Sequence, residues 1–294
     1  MKKPSLHRWL CVFCTLLALL TLSVYRSQYA LTLTRYELPS PKLTAPIRIV
    51  HLTDLHNRSF GEDNARLVSL VAQQKPDLIL MTGDMINGRE PETDVATRLV
   101  EQLTAVAPVY FSYGNHEITH RSEFDVDIRA LFEEVGATVL ERAYVDVTVN
   151  GQALRLGGMY GYALPEKYLR TGEAKQRECE FLKDFQDTQA YTVLLAHLPT
   201  CWLQNDNLDV WQIDCVLSGH EHGGQIRLPF LGGLYAPDQG LFPGRSSGIY
   251  ASQDGSSVMV LSRGLGSGVG VPRFNNVPEI VVVDIVPQRA GEEE

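Results

Sequence analysis

A nearly unbroken apolar run fills residues 9–25, with Lys2, Lys3 and Arg8 ahead of it and Arg26 behind it. That length is near the lower limit for a membrane-spanning helix, about 17 residues, and exceeds the apolar core of an ordinary secretory signal. No small-residue cleavage site follows, since Gln28 before Ala30 fits one poorly. The pattern predicts an uncleaved transmembrane anchor over residues 1–26, with a removed signal peptide as the alternative. Basic residues ahead of the run put the N-terminus in the cytoplasm and the rest of a single-pass chain outside, although Arg26 and Arg35 weaken that orientation. Residues 27–46, punctuated by Pro39, Pro41 and Pro46, read as an extended tether.

From residue 47 the period changes. An apolar strand over 47–53 runs into Asp54-Leu55-His56, and a helix over 62–74 carries Leu67, Leu70 and Val71 on one face. Residues 77–81 are almost wholly apolar, as a strand covered on both faces should be, and end in Thr82-Gly83-Asp84. A helix over 92–105 leads to a strand over 109–112 that ends in Tyr113-Gly114-Asn115-His116-Glu117. Three rounds of strand, polar turn and helix predict a layered α/β domain with its chemistry at the strand C-termini. A further helix is expected over 124–135 and another over 173–185. Asn150-Gly151 marks a hairpin between strands over 144–149 and 152–156, so parallel and antiparallel pairing coexist. Strands over 191–196 and 214–217 deliver His197 and Ser218-Gly219-His220-Glu221-His222. A long Gly- and Pro-rich loop over 223–248 precedes strands over 257–261 and 279–286, and the polar tail 288–294 reads as disordered.

Composition changes this picture little. The chain is 44% hydrophobic and 21% charged, which is ordinary for a globular protein. A net charge of −9 argues against a nucleic-acid partner, which would need a basic face, but not against phosphate held through cations. Cys11 and Cys14 lie inside the apolar run, and Cys179, Cys201 and Cys215 form no disulfide or zinc pattern, so these three are expected as buried thiols. Nothing in the sequence sets an oligomeric state.

The candidate chemistry lies at five strand ends: Asp54 and His56, then Asp84, then Asn115 and His116, then His197, then His220 and His222. Each motif has a bland alternative; two histidines near a glycine pair are also ordinary hydrogen-bonded loop residues. All of them in order, each closing an apolar run, point to metal ligation. The remaining histidines, His7, His51 and His120, are assigned to the anchor flank, a strand and the surface.

The ordered series Asp-x-His, Gly-Asp, Gly-Asn-His, lone His and Gly-His-x-His resembles that of the calcineurin-like metallophosphoesterase family over residues 47–286. The resemblance implies an α/β fold, a four-layer αββα sandwich of two mixed sheets flanked by helices, over residues 47–287. It implies that Asp54, His56, Asp84 and His222 hold one divalent metal ion. Asp84, Asn115, His197 and His220 would hold a second, with Asp84 shared. It further implies hydrolysis by a hydroxide bridging the two ions. Residues 223–230 and 236–243 look like a membrane-anchored bacterial subgroup that includes enzymes resembling UDP-2,3-diacylglucosamine hydrolases. Asn87 and Glu117 depart from the family pattern, where aspartate is common at both places; neither is a ligand in that pattern.

Two divalent cations about 3.5–4 Å apart can activate water and clamp a phosphoryl oxygen. Histidine, aspartate and asparagine without thiolate suit Mn, Fe or Zn better than Ca. His116, beside Asn115, is the candidate general acid for the leaving alkoxide, worth roughly 10²–10⁴-fold, with an orienting role as the alternative. Arg58, Arg227 and Arg263, with Arg245 and Arg273, are candidates to fork onto a diphosphate, against the plainer reading of solvated surface arginines. The glycine-rich stretch 262–270 follows a strand but opens no helix, so it is read as a substrate-side loop rather than a dinucleotide fingerprint.

The expected activity is that of a membrane-anchored, two-metal phosphohydrolase. Its substrate would be a phosphodiester or pyrophosphate, lipid-linked or part of the cell envelope. The rivals are a non-catalytic, metal-stabilised binding module on the same fold and a phosphomonoesterase. The arginine that protein phosphatases carry after Gly-Asp is absent from Met85-Ile86-Asn87-Gly88.

Overall fold

A computed structural model of the chain describes residues 6–160, 177–203, 207–268 and 270–288. Two six-stranded sheets lie face to face. The first runs, in spatial order, Thr32–Ser40, Glu279–Pro287, Ile47–Leu52, Leu78–Met81, Val109–Phe111, Thr138–Val139. The second runs Gly248–Ala251, Val258–Leu261, Cys215–Ser218, Tyr191–Ala196, Gln152–Met159, Ala143–Val149. Each is mixed, with Glu279–Pro287 antiparallel to Ile47–Leu52 and the Asn150-Gly151 hairpin antiparallel at the edge of the second sheet.

Period-two alternation sorts the strand residues into three apolar layers. Ile47, Ile49, Leu78 and Leu80 meet Leu154, Leu156, Val193 and Leu195 between the sheets. The intervening Val50, Leu52, Ile79 and Met81 face outward onto Leu67 and Val71 of the helix Ala65–Gln73 and Leu99 and Leu103 of the helix Asp94–Thr104. On the other side Leu194, Ala196 and Val216 pack on Leu182, Phe185, Trp202 and Trp211. The result is the four-layer αββα sandwich. Every long strand buried on both faces is an apolar run in the sequence, because neither side meets water.

The tether expected over 27–46 is replaced by structure. The N-terminal helix continues to Tyr29, and Thr32–Ser40 is an edge strand parallel to Glu279–Pro287. Its inward positions include Thr34, Tyr36 and Leu38, so its alternation is faint on a hydropathy scale. Pro39 is compatible with a strand because one side of an edge strand has no ladder to serve. The single helix expected over 124–135 is instead two, Asn115–Phe124 and Ile128–Glu134. Asp125 turns left-handed to close the first, and the Asp127 carboxylate caps the second by accepting from Ala130 N at 3.2 Å. The loop 223–248 contains two small hairpins, and Gly248–Ala251 adds a strand with no forewarning in the sequence. His120, expected at the surface, is buried against Phe124. Cys179 and Cys215 are buried and Cys201 is half-buried. Residues 161–176 and 289–294, which include the start of the helix expected over 173–185 and most of the tail, lie outside the described residues.

Among the described residues one helix, His7–Tyr29, is long and apolar enough to cross a membrane; a signal sequence meets the same description.

Candidate metal centre

The parallel strands of both sheets end at one rim, and the turns that leave them carry the polar motifs. Backbone bonds lock the turns together: Asp54 N donates to Gly83 O at 3.0 Å, His56 N to Asp84 O at 3.0 Å, and Gly219 N to His197 O at 3.1 Å. The sheets are joined across the rim, since His220 N donates to the Asp54 carboxylate at 3.0 Å and Leu265 N to Thr53 O at 3.0 Å. Gly83 and Gly114 touch backbone to backbone, and a side chain on Gly114 would overlap the Asp84 carboxylate. That is why these two positions are glycine.

The side chains converge. Asp54, His56 and His222 bring one donor atom each within 4.8 Å of one another, and Asp84, His197 and His220 do the same. Asp84 Oδ2 stands between the groups, 3.2 Å from His197 Nε2 and 3.8 Å from His56 Nε2. Asn115 Oδ1 lies 3.2 Å from His197 Nε2, and His220 Nδ1 lies 3.2 Å from the same nitrogen. All seven expected ligands are therefore in one cluster. Five of them, Asp54, His56, Asp84, His220 and His222, have positive φ between 47° and 72°. Left-handed backbone costs a non-glycine residue about 1 kcal/mol or more and persists where the surroundings enforce it. Here the fold gives up stability to aim donor atoms at common points.

These residues fit a pair of divalent cations. Both ring nitrogens of His56 are buried with no hydrogen-bond partner among the described residues, a costly arrangement that a cation would resolve. His197 Nδ1 faces Thr82 O at 2.7 Å, which directs Nε2 toward Asp84 as a ligand nitrogen must be directed.

The charges lead to the same reading. Burial disfavours the charged form of His197, but the Asp84 and Asp54 carboxylates outweigh it and push the imidazole up to about 10. Burial also opposes ionisation of Asp84, yet His197, with His56 and His116, holds that carboxyl well below its ordinary range. His56, with less help from carboxylates, is driven by burial down to about 3. Without a cation, the site thus carries a proton on His197. A cation must displace that proton, so binding tightens as pH rises. The expected apparent affinity grows about tenfold per pH unit through the neutral range and levels off only above His197's raised value. Calorimetric titration of the metal-free protein with Mn²⁺ at several pH values checks this; a flat dependence contradicts it.

Glu117 is the organiser the sequence did not disclose. It is the third residue of the helix Asn115–Phe124, and its fully buried carboxylate accepts from Gly114 N, Asp84 N and Met85 N, each at 2.8 Å. It fastens two ligand turns to each other, and burial, with the nearby Asp84 charge, pushes it up to about 7. The signal was the spacing Gly114-x-x-Glu117, which lets a glutamate at the third helical position accept from the N–H of the residue that opens the helix. Asp238 was missed too. Its Oδ2 lies 3.4 Å from His220 Nε2, on the far side of that ring from His197, and the contact with His220 holds it below its ordinary value. It comes from the loop 223–248, where no periodicity marks it.

His116 stands at the rim, its Nε2 4.0 Å from Asp84 Oδ2. Its Nδ1 accepts from Gly88 N at 2.9 Å, so the neutral ring carries its proton on Nε2, the atom facing the cluster. Two glycines of the stretch 262–268 lie against the site, Gly264 on Asp54 and Gly268 on the His56 and His116 rings. The arginines are already engaged. Arg58 donates to the Gln28 side chain at 2.8 Å, Arg227 to Gly223 O at 2.8 Å, and Arg263 pairs with Glu279 at 2.9 Å. Arg245 donates to Leu203 O, and Arg273 is wholly buried, donating to Gly266 O at 2.7 Å.

Residues 47–224 match the family model described as calcineurin-like phosphoesterase. The chain belongs to that family. Family members use divalent metals and hydrolyse phosphoester bonds, and this chain is a phosphoesterase of that kind. It is similar to an uncharacterized metallophosphoesterase, YkuE, of Bacillus subtilis (strain 168), with 28% identity over 80% of this chain and 77% of that protein. It is also similar to the phosphodiesterase YaeI of Escherichia coli (strain K12), with 28% identity over 82% of this chain and 83% of that one. Among solved structures, a 5'-nucleotidase precursor from Thermus thermophilus aligns with a TM-score of 0.45 at 13% identity, over 82% of this chain and 54% of that chain. The phosphoesterase thus spans about half the length of that structure.

Proposed function

We propose that this phosphoesterase is a two-metal phosphodiesterase or pyrophosphatase, held at a membrane by its N-terminal helix and acting on a lipid-linked or envelope phosphate. The observation that carries the two-metal reading is the place of Asp84 Oδ2, which faces His197 on one side and His56 on the other. Asp54, His56 and His222 with Asp84 would hold one ion; Asn115, His197 and His220 with Asp84 would hold the other. The donor set favours Mn, Fe or Zn. When bound, such a pair supplies a nucleophile at neutral pH and offsets charge on the phosphoryl oxygens.

The protein's own part is arrangement and proton supply. Asp238 and Thr82 orient the ligand rings of His220 and His197. Gly264 and Gly268 cover one side of the cluster. His116 Nε2 faces the cluster and is placed to protonate the departing oxygen from the imidazolium form, which would require Nδ1 to give up the hydrogen bond it accepts from Gly88 N. Preference for diesters is supported by the name of the Escherichia coli relative, phosphodiesterase YaeI. A lipid-linked substrate is supported by the apolar N-terminal helix, which would raise the local concentration at a bilayer.

Replacement of His116 by glutamine tests the acid role. Turnover of a diester with an alkyl leaving group is expected to fall roughly 10²–10⁴-fold, and that of bis-p-nitrophenyl phosphate by less, because p-nitrophenolate departs without a proton. Equal losses on both would make His116 an orienting residue. Comparison of p-nitrophenyl phosphate, its diester and a nucleoside-diphosphate lipid tests the substrate class; preference for the monoester would reject the diesterase reading.

A further inference from the structure

Outside the N-terminal helix and Leu33, every exposed large apolar side chain among the described residues lies between residues 230 and 271. Most are at two places. Phe230 is 107% exposed and Leu231 66%, at the tip joining Arg227–Leu228 to Gly232–Gly233; Leu241 is 69% exposed and Phe242 56%, at the open end of the second hairpin, where Leu241 pairs with Tyr235. The two places belong to one layer, since Leu234 N donates to Ile226 O at 2.7 Å and Phe242 N to Leu234 O at 2.8 Å.

Two observations set these places apart from ordinary loop residues. Phe230 and Phe242 have φ of 67° and 54°, a left-handed backbone that is unusual for a bulky side chain. Each holds this conformation while its side chain stays mostly in solvent. The layer is also continuous with the root of the N-terminal helix. Arg227 N donates to Phe274 O at 3.0 Å and Asn275 Nδ2 to Arg227 O at 3.1 Å. From the same segment, Asn276 N donates to Ser27 Oγ at 3.0 Å, and Arg273 O accepts from Gln28 Nε2 at 3.4 Å. A groove of about 290 Å³ between the helix and this segment is lined by Leu19, Leu22, Arg26, Asn275 and Val277. Two basic side chains of this layer reach solvent, the exposed Arg245 and the half-buried Arg227, against the single acid Asp238 of residues 223–248; Arg263 is paired with Glu279 and Arg273 is wholly buried.

We propose that the Phe230–Leu231 tip and the neighbouring Leu241–Phe242 edge insert into the interfacial zone of the membrane that holds the N-terminal helix, giving the catalytic domain a second contact with the bilayer. The proposal rests on reading that helix as an anchor. The occupant is lipid because the apolar groups stand beside the helix root, where a bilayer surface would lie, and project from the domain with Arg245 nearby in the same loop. The hairpins sit directly on the ligand turn, Leu234 N donating to Gly224 O at 3.1 Å, so the metal centre would open at headgroup level. Access would then favour a phosphate at the bilayer surface over a soluble one.

The test uses the full chain in phosphatidylcholine–phosphatidylglycerol vesicles, with tryptophan introduced singly as Phe230→Trp, Leu241→Trp or, as a control, Thr148→Trp. Thr148 is exposed near the Asn150-Gly151 turn, at the opposite end of the sheet from His197. Hydrolysis of bis-p-nitrophenyl phosphate at the wild-type rate certifies each variant as folded. When the phosphatidylcholine carries brominated acyl chains, the emission added at 230 or 241 is expected to fall to roughly half or less, and that added at 148 to stay unchanged. The native background reports the anchor separately, because Trp9 is exposed on the helix whereas Trp202 and Trp211 are buried in the domain. Quenching of Trp9 without quenching at 230 and 241 overturns the second contact and leaves the anchor standing. No quenching anywhere overturns both. A blue shift at 230 that grows with the protein-to-lipid ratio, without bromine quenching, would assign the exposed apolar residues to a second copy of the chain and overturn the proposal.

Discussion

Substitution of Asp84 by asparagine is expected to remove turnover by about 10⁴-fold or more while leaving the protein folded. Both halves follow from the position of one oxygen. Asp84 Oδ2 faces His197 Nε2 at 3.2 Å and His56 Nε2 at 3.8 Å, so neutralising this carboxylate weakens both cation sites together. The fold should tolerate the change, because asparagine is among the few residues at ease in the left-handed backbone that Asp84 adopts, with φ of 53°. Asparagine also needs no compensation for a buried charge. In the metal-free state the variant is therefore expected to melt within a few degrees of the wild type. The difference appears on adding Mn²⁺. The wild type should gain stability by mass action, whereas the variant should gain little. Melting curves with and without metal, beside rates on bis-p-nitrophenyl phosphate, check both halves. A variant that keeps its rate would reject the assignment of Asp84.

Removal of residues 1–46 is expected to be far more damaging than removal of residues 1–29. The shorter deletion takes the apolar helix but leaves the strand Thr32–Ser40 paired along its whole length with Glu279–Pro287. The longer one exposes the edge of an apolar strand and uncovers the core around Leu38 and Leu43. Unpaired apolar edges recruit other chains. A loss of about 5 kcal/mol is expected from the burial of those side chains and the ladder, a large share of a typical domain stability of about 5–15 kcal/mol. The chain beginning at residue 47 should precipitate or melt about 10–20 °C below the one beginning at residue 30. Thermal melts of the two soluble fractions decide it; equal melting temperatures would return residues 27–46 to the status of a passive tether.

What could be read from the chain and what could not divide along physical lines. Strands buried on both faces, such as Leu78–Met81 and Tyr191–Ala196, announce themselves because every position avoids water. The metal ligands are legible for a related reason: each follows such a run, where a histidine or aspartate has no packing purpose. Asn150-Gly151 marks its hairpin through backbone conformation alone. The edge strand Thr32–Ser40 was hidden because threonine and tyrosine on its inward face do not register as apolar. Glu117 and Asp238 were hidden differently. They act on ligands through contacts made by tertiary folding, and the chain shows only an acidic residue in a turn or loop. His120 misled for the opposite reason, since its polar ring is buried beside Phe124, where composition suggests a surface. The arginines could be read only as candidates. A guanidinium near a phosphate site suggests substrate, yet Arg58 and Arg263 bind Gln28 and Glu279 and hold loops in place.

Anomalous X-ray scattering from crystals of the full chain grown with Mn²⁺ tests the shared-carboxylate centre most directly. Two peaks per chain are predicted, about 3.5–4 Å apart, one on each side of Asp84 Oδ2. One should lie among Asp54, His56 and His222, and the other among Asn115, His197 and His220. A single peak, or two peaks that do not share Asp84, would contradict the account.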